Sequence, residues 1–145
     1  MSTALGVPCP HCGALNRVPP ERLGEHPVCG RCKQPLFTGK PVELTTGNFD
    51  AIAARGDLPV VVDFWAPWCG PCRGFAPVFA DAAQSLEPQL RLAKVDTEAQ
   101  PALAQRFGIR SIPTLMVLRD GREIARQAGA LNPSQLRQFL AGVLR

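Results

Sequence analysis

Cys69-Gly70-Pro71-Cys72 stands shortly after the run Val60-Val61-Val62-Asp63-Phe64-Trp65. A short, continuous apolar run bounded by turn residues predicts a buried strand. Pro71 then opens a segment in which Phe75, Val78, Phe79, Ala82 and Leu86 recur at helical spacing. The two thiols therefore fall where a strand hands over to a helix N-terminus. Proline fits that position because its missing N–H would be unpaired there anyway. The free N–H groups and the dipole of a helix start favour an anion. A thiolate is such an anion, which makes Cys69 a candidate nucleophile near neutral pH.

The chain from Val42 onward alternates between the two periodicities. Residues 42–44 read as a short strand, and Phe49, Ile52 and Ala53 as one face of a short helix ending near Gly56. The long helix is expected to kink at Pro77 and to stop before Pro88. Residues 90–95 read as a strand, and Leu103 and Phe107 mark a short helix with Gly108 at its C-terminal cap. Asp120-Gly121 is a strong turn signal and joins residues 114–118 to 123–127 as a hairpin. Asn132, Pro133 and Gln135 form a capping box for a last helix, whose Leu136, Phe139, Leu140 and Val143 face the core. The order β-α-β-α-β-α-β-β-α predicts an α/β fold: a mixed five-stranded sheet with helices on both faces.

Residues 1–40 are of another kind. They are rich in Pro, Gly and Cys, with little periodicity, and are too short to fold on an apolar core alone. Cys9-Pro10-His11-Cys12 and Cys29-Gly30-Arg31-Cys32, separated by 16 residues, match the two knuckles of a structural zinc ribbon. Cys9, Cys12, Cys29 and Cys32 are the expected ligands of one Zn²⁺, which would supply the folding energy that the segment lacks. His11 and His26 are second-choice ligands. Cys-Pro-His-Cys is also a redox tetrapeptide in other settings, but here no strand pattern precedes it and no helix pattern follows. Gly39-Lys40-Pro41 reads as a linker, which divides the chain into a module at 1–40 and a domain at 41–145.

Composition bounds the partners. At 46% hydrophobic the chain can build an ordinary core, and its formal charge is +4. Residues 1–40 sum to +3 and residues 41–145 to +1. Four zinc-bound thiolates bring the whole chain to about +2, so the basic balance gives no reason to expect nucleic-acid binding. No segment reads as a targeting peptide or a membrane span, and a cytoplasmic, monomeric protein is expected. In that compartment structural disulfides are rare, so six cysteines in three Cys-x-x-Cys pairs read as metal or redox chemistry. No Gly-x-Gly-x-x-Gly fingerprint follows a strand, so no bound nucleotide is expected.

Other residues carry two readings on pattern alone. Asp63, inside an apolar run, is either buried with a raised pKa or reaches solvent at a strand end. Lys94 shares parity with Leu90 and Leu92 and points to the core side, or is a surface lysine. Trp68 either shields the cysteines and offers a contact surface or simply packs, and Trp65 is the better core candidate. Pro113 after Ile112 marks a strand entry. Arg73 and Ser111 flank these segments.

Residues Val62-Asp63-Phe64-Trp65-Ala66-Pro67-Trp68-Cys69-Gly70-Pro71-Cys72 closely resemble the thioredoxin active-site segment. Gly108-Ile109-Arg110-Ser111-Ile112-Pro113-Thr114 resembles that family's cis-proline loop, and Gly129-Ala130-Leu131 its later glycine turn. With the paired cysteines in front, the chain resembles the zinc-containing bacterial thioredoxins of the thioredoxin 2 type. The resemblance implies a thioredoxin fold and reduction of protein disulfides at Cys69 and Cys72. Cys69 attacks, and Cys72, one helical turn on, resolves the mixed disulfide. It implies Asp63 as acceptor of the Cys72 proton, Lys94 beside it, and a cis bond before Pro113. It places Trp68, Gly70, Pro71, Ile112 and Pro113 against the substrate, with the Ile112 backbone pairing with a substrate strand. It implies oxidised proteins and thioredoxin reductase as partners, with electrons from NADPH. Two rival functions are a zinc-dependent redox sensor or client-binding module, and an oxidase or isomerase, which Gly70-Pro71 between the cysteines argues against.

Overall fold

The computed structural model describes residues 3–144. Its N-terminal segment folds as an antiparallel pair, β1 (Leu5–Pro8) and β2 (Leu15–Val18), followed by a short 3-10 helix over Pro20–Glu25. The expectation that no strand precedes Cys9 is corrected here, since β1 ends at Pro8. With glycine and proline in four residues, its sequence lacks a strand pattern; pairing with β2, from Leu5 against Val18 to Pro8 against Leu15, makes it one. No helix starts at Cys9 itself; the chain turns there, with Gly13 N–H donating to the Cys9 carbonyl at 2.9 Å. Val7, Val18, Leu23 and Leu36 close around the buried Cys9 and Cys29 as a small core, and Leu58 packs on it from the next part of the chain.

The remaining elements alternate as the periodicities require. They are β3 (Val42–Glu43), α1 (Phe49–Ala53), β4 (Val60–Trp65), α2 (Gly70–Leu86), β5 (Arg91–Asp96), α3 (Pro101–Arg106), β6 (Thr114–Arg119), β7 (Arg122–Ala128) and α4 (Pro133–Val143). The sheet runs β3-β5-β4-β6-β7, parallel among the first three strands and antiparallel across β4, β6 and β7. Alternation along β4 divides its side chains between two cores. Val62 and Phe64 meet Phe49, Ile52 and Leu103 of α1 and α3, while Val61 meets Phe75, Phe79, Leu136 and Leu140 of α2 and α4. This is the thioredoxin fold that the resemblance implies.

Local chemistry sets the boundaries. Asp120 and Gly121 both take positive φ, 54° and 75°, the turn whose twist matches a two-residue hairpin. Asn132 Oδ1 accepts from Gln135 N–H at 2.8 Å and Asn132 N–H donates to Gln135 Oε1 at 3.0 Å, closing the expected capping box. The helix α2 continues through Pro77 to Leu86.

The segment around the linker is tied down rather than loose. Gly39 N–H donates to Glu87 Oε1 at 3.3 Å. Asp57 accepts from Gly6 N–H at 2.6 Å and returns its own N–H to Gly6 O at 2.8 Å. Arg91, 2% exposed, reaches the Pro8 and Leu36 carbonyls. Because β4 and β5 are parallel, Val60 and Arg91 share one end of the sheet and Trp65 and Asp96 the other. The N-terminal segment thus docks at the end opposite to that from which the chain enters Cys69 and Cys72.

Candidate redox site and metal centre

The strand β4 delivers the chain to Cys69, which caps α2 in extended backbone (φ −86°, ψ 115°) with its Sγ accepting the Cys72 N–H at 3.2 Å. That bond lies at the positive end of a 17-residue helix, where a sulfur anion is stabilised. Cys69 and Cys72 are joined as a disulfide with their Cα atoms 5.2 Å apart. Both are buried, at 5% and 2% exposure, so only a narrow part of Cys69 reaches solvent. Gly70 and Pro71 form the exposed first turn between them.

The loop before β6 closes over this pair. The Ile112–Pro113 peptide is cis, and the Ile112 carbonyl oxygen lies 3.9 Å from Cys69 Sγ. Ile112 packs on the cluster of Ala66, Cys69 and Cys72. Trp68 stands on the rim at 66% exposure and, with Ile109, Ser111 and Ile112, lines a shallow groove beside the cysteines. Arg73 is exposed and donates to the Pro67 carbonyl at 3.1 Å.

Asp63 is 1% exposed, and neither carboxyl oxygen has a hydrogen-bond partner among the described residues. Burial pushes its pKa up to about 7; the Lys94 ammonium draws it down and Glu43 pushes it up. Asp63 and Lys94 are registered neighbours across β4 and β5. Lys94 Nζ sits 4.4 Å over the Trp65 ring. Both residues thus lie where the core-side reading put them. Sequence reasoning missed Glu43, an exposed residue whose only signal is its place on the edge strand opposite Lys94.

The second site is in the N-terminal segment. The Sγ atoms of Cys9, Cys12, Cys29 and Cys32 all lie within 4.8 Å of one another. The Cys9–Cys32 and Cys12–Cys29 separations are 3.6 Å each, close to the edge of about 3.8 Å of a tetrahedron with metal–sulfur bonds of about 2.3 Å. Backbone N–H groups of His11 and Cys12 point at Cys9 Sγ at 3.3 and 3.5 Å, and that of Arg31 points at Cys29 Sγ at 3.3 Å. Such donors stabilise thiolates and orient them. The Cys29 thiol is drawn down, first by the Cys32 N–H and then by Asn16, while that of Cys32 is pushed up, against the Gln34 N–H, by burial and by the other three thiols. Four soft donors in a closed tetrahedron fit zinc and leave no open position for catalysis. His11 and His26 lie outside this cluster.

A disulfide at the head of a helix, on a mixed five-stranded sheet and under a cis-proline loop, defines a thiol–disulfide oxidoreductase of the thioredoxin fold. A family model described as Thioredoxin matches residues 40–142, and one described as Thioredoxin 2, N-terminal matches residues 8–34. Thioredoxin C-3 of Corynebacterium nephridii is 48% identical over 134 residues, 92% of either chain. Thioredoxin 1 of Nostoc is 44% identical over 98 residues, covering 68% of this chain and 92% of that one. Thioredoxin of Haemophilus influenzae is 36% identical over 99 residues, again 92% of its length. The chain belongs to the thioredoxin family and carries the N-terminal zinc-ribbon segment of its thioredoxin 2 branch. Among the described residues no helix is long and apolar enough to cross a membrane.

Proposed function

We propose that the chain is a reductant of protein disulfides that works through two thiols and one buried carboxyl. The Cys69 thiolate attacks one sulfur of a substrate disulfide and expels the other as a thiolate, forming a mixed disulfide. Cys72 then gives its proton to Asp63 and attacks Cys69 Sγ. The substrate leaves with both electrons, and Cys69 and Cys72 are left oxidised. The observation that carries this reading is the Cys69–Cys72 pair capping α2, with a buried aspartate on the strand that leads into it. Lys94 keeps Asp63 from binding its proton too tightly. Trp68, Gly70 and Pro71 form the contact surface. The Ile112 backbone, held by Pro113, pairs with a substrate strand, which gives affinity with little sequence preference.

Electrons come from NADPH through thioredoxin reductase, and the chain binds no nucleotide itself. Cys9, Cys12, Cys29 and Cys32 hold one Zn²⁺ within a module of about residues 1–40, joined to the catalytic domain at 41–145. The cytoplasm is the compartment assigned, because four metal-binding thiols must stay reduced.

The test is NADPH-coupled reduction of a disulfide-bonded protein with thioredoxin reductase. Cys69→Ser should abolish turnover, and Cys72→Ser should accumulate the mixed disulfide. Unimpaired turnover in Cys69→Ser would end the reading. The redox-sensor reading is favoured by one observation, the exposure of Cys12 among the four ligands. Its measurement is zinc release against added peroxide. Zinc lost at low oxidant with a reversible change in turnover supports it, and zinc retained until the protein is damaged opposes it.

A further inference from the structure

Three ionisable residues form one row across the sheet. Glu43 of β3 pairs in register with Lys94 of β5, and Lys94 pairs in register with Asp63 of β4. Registered neighbours project to the same face. Here it is the face of Val61 and Leu92, under α2 and α4. At about 4.8 Å per strand, the two carboxyl-bearing positions are about 10 Å apart, with one lysine between them.

The charges on this row oppose one another. Asp63 feels Lys94 and Glu43 with opposite sign, after burial. Glu43 has its own carboxyl raised first by burial, then drawn down by Lys94 and pushed up by Asp96. The Lys94 ammonium rests on the Trp65 ring between its two acidic neighbours rather than closing on either. Among the described residues, the other elements on this face add no competing charge. β6 offers Leu115 opposite Asp63, α2 offers the joined cysteines, Phe75 and Phe79, and α4 offers Leu136 and Leu140. Arg73, Asp81 and Arg137 of these helices are exposed. Asp96 of β5 is engaged by the N–H groups of Glu98 and Ala99 at 3.0 and 3.2 Å.

We propose that Glu43 is a positioning residue for disulfide exchange: its carboxylate competes with Asp63 for the charge of Lys94 and so keeps Asp63 basic enough to take the Cys72 proton. The proposal rests on Asp63 being that acceptor. It gives an exposed residue on the sheet edge a part in the chemistry without contact with the cysteines or the substrate. The sign is fixed by electrostatics. Removing the Glu43 charge leaves Lys94 more available to the Asp63 carboxylate, so Asp63 ionises at lower pH.

The test uses the full, zinc-loaded chain. The rate of disulfide reduction by the pre-reduced protein is followed from about pH 5 to 9, together with the ¹³C carboxyl titration of Asp63. Glu43→Gln should lower the Asp63 midpoint, and the midpoint of the rate profile, by about half a pH unit. Glu43→Lys should lower both further, and Glu43→Asp should restore them. An unchanged midpoint in Glu43→Gln overturns the proposal. Asp63→Asn separates the two levels. If it leaves the wild-type rate profile intact, Asp63 is not the acceptor and both readings fall. If it removes the ionisation while Glu43→Gln shifts nothing, Glu43 alone is dismissed.

Discussion

The guanidinium of Arg91 donates a 2.7 Å hydrogen bond to the carbonyl oxygen of Pro8, the residue that leads into the first ribbon cysteine. A second nitrogen of the same group donates to the Leu36 carbonyl at 2.7 Å, and the group lies 4.7 Å from the Phe37 ring centroid. One buried cation at the start of β5 thus clasps both ends of the ribbon fold. Its cost in desolvation, which draws its own pKa down, is opposed by Glu87 nearby. Arg91→Leu leaves two buried carbonyls without donors and should destabilise the chain by about 2–4 kcal/mol in denaturant titrations. Arg91→Lys should recover little, because an ammonium lacks the planar fork that spans both carbonyls. A loss below about 0.5 kcal/mol for Leu would mean that the clasp is incidental.

Gly56 controls the same seam from the other side. Its φ is +104°, and a Cβ there would stand 2.6 Å from Pro8 Cδ and 3.0 Å from Gly6 O. Both the backbone conformation and the space demand glycine. Gly56→Ala should cost about 1–3 kcal/mol and should speed alkylation of the ribbon thiols as Pro8 is pushed away. Gly24→Ala, with nothing within 4 Å of its Cβ, is the matched control and should be neutral in both assays.

How much of this was legible depends on where the signal lies. The strand, helix and hairpin order could be read because the run at Val60, the spacing of Phe75 and Phe79, and Asp120-Gly121 act through local periodicity and turn chemistry. Asp63 was open on pattern alone, since a carboxyl near the end of an apolar run can also reach solvent; only the resemblance of its segment favoured the inside, where the side chain is 1% exposed. The ribbon strands could not be read. Leu5–Pro8 has no alternation, and its structure comes from pairing and from the cysteines around it. Arg91 stood between Leu90 and Leu92 as an interruption of a strand pattern. Its meaning needs the positions of Pro8 and Leu36, which are distant in sequence. Glu43 was silent for the same reason, since its link to Asp63 runs through the strand order β3-β5-β4.

Metal removal should act unequally on the two parts of the chain. The ribbon core has few apolar side chains, chiefly Val7, Val18, Leu23 and Leu36 around the cysteines. Such a core does not hold a fold of this length without its metal. The five-stranded sheet has two full cores of its own. A chelator should therefore abolish amide-exchange protection across residues 5–36 and leave β4, β5 and β6 protected, with recovery on adding Zn²⁺. Protection that survives complete chelation in the ribbon would show that its fold does not depend on the ion.

The buried Asp63 carboxyl makes a pH-dependent demand on stability. Its pKa is about 7 in the folded chain and about 4 when unfolded. Below pH ~4 both states are protonated, and the group contributes no difference. As pH rises toward 7 the unfolded chain loses this proton first, so the folded state binds more protons and becomes progressively less favoured. Above pH ~7 the penalty is complete, at roughly 4 kcal/mol for a gap of about three units. Asp63→Asn removes the charge at nearly constant shape. It should therefore be more stable than wild type near pH 8 by up to about that amount, with the advantage shrinking to nothing near pH 4. Thermal and denaturant unfolding of both proteins across this range measures it. A constant offset with pH would mean that Asp63 is not the group being titrated. Loss of disulfide reduction together with gain of stability in the same variant is the expected signature of a carboxyl kept buried for its proton.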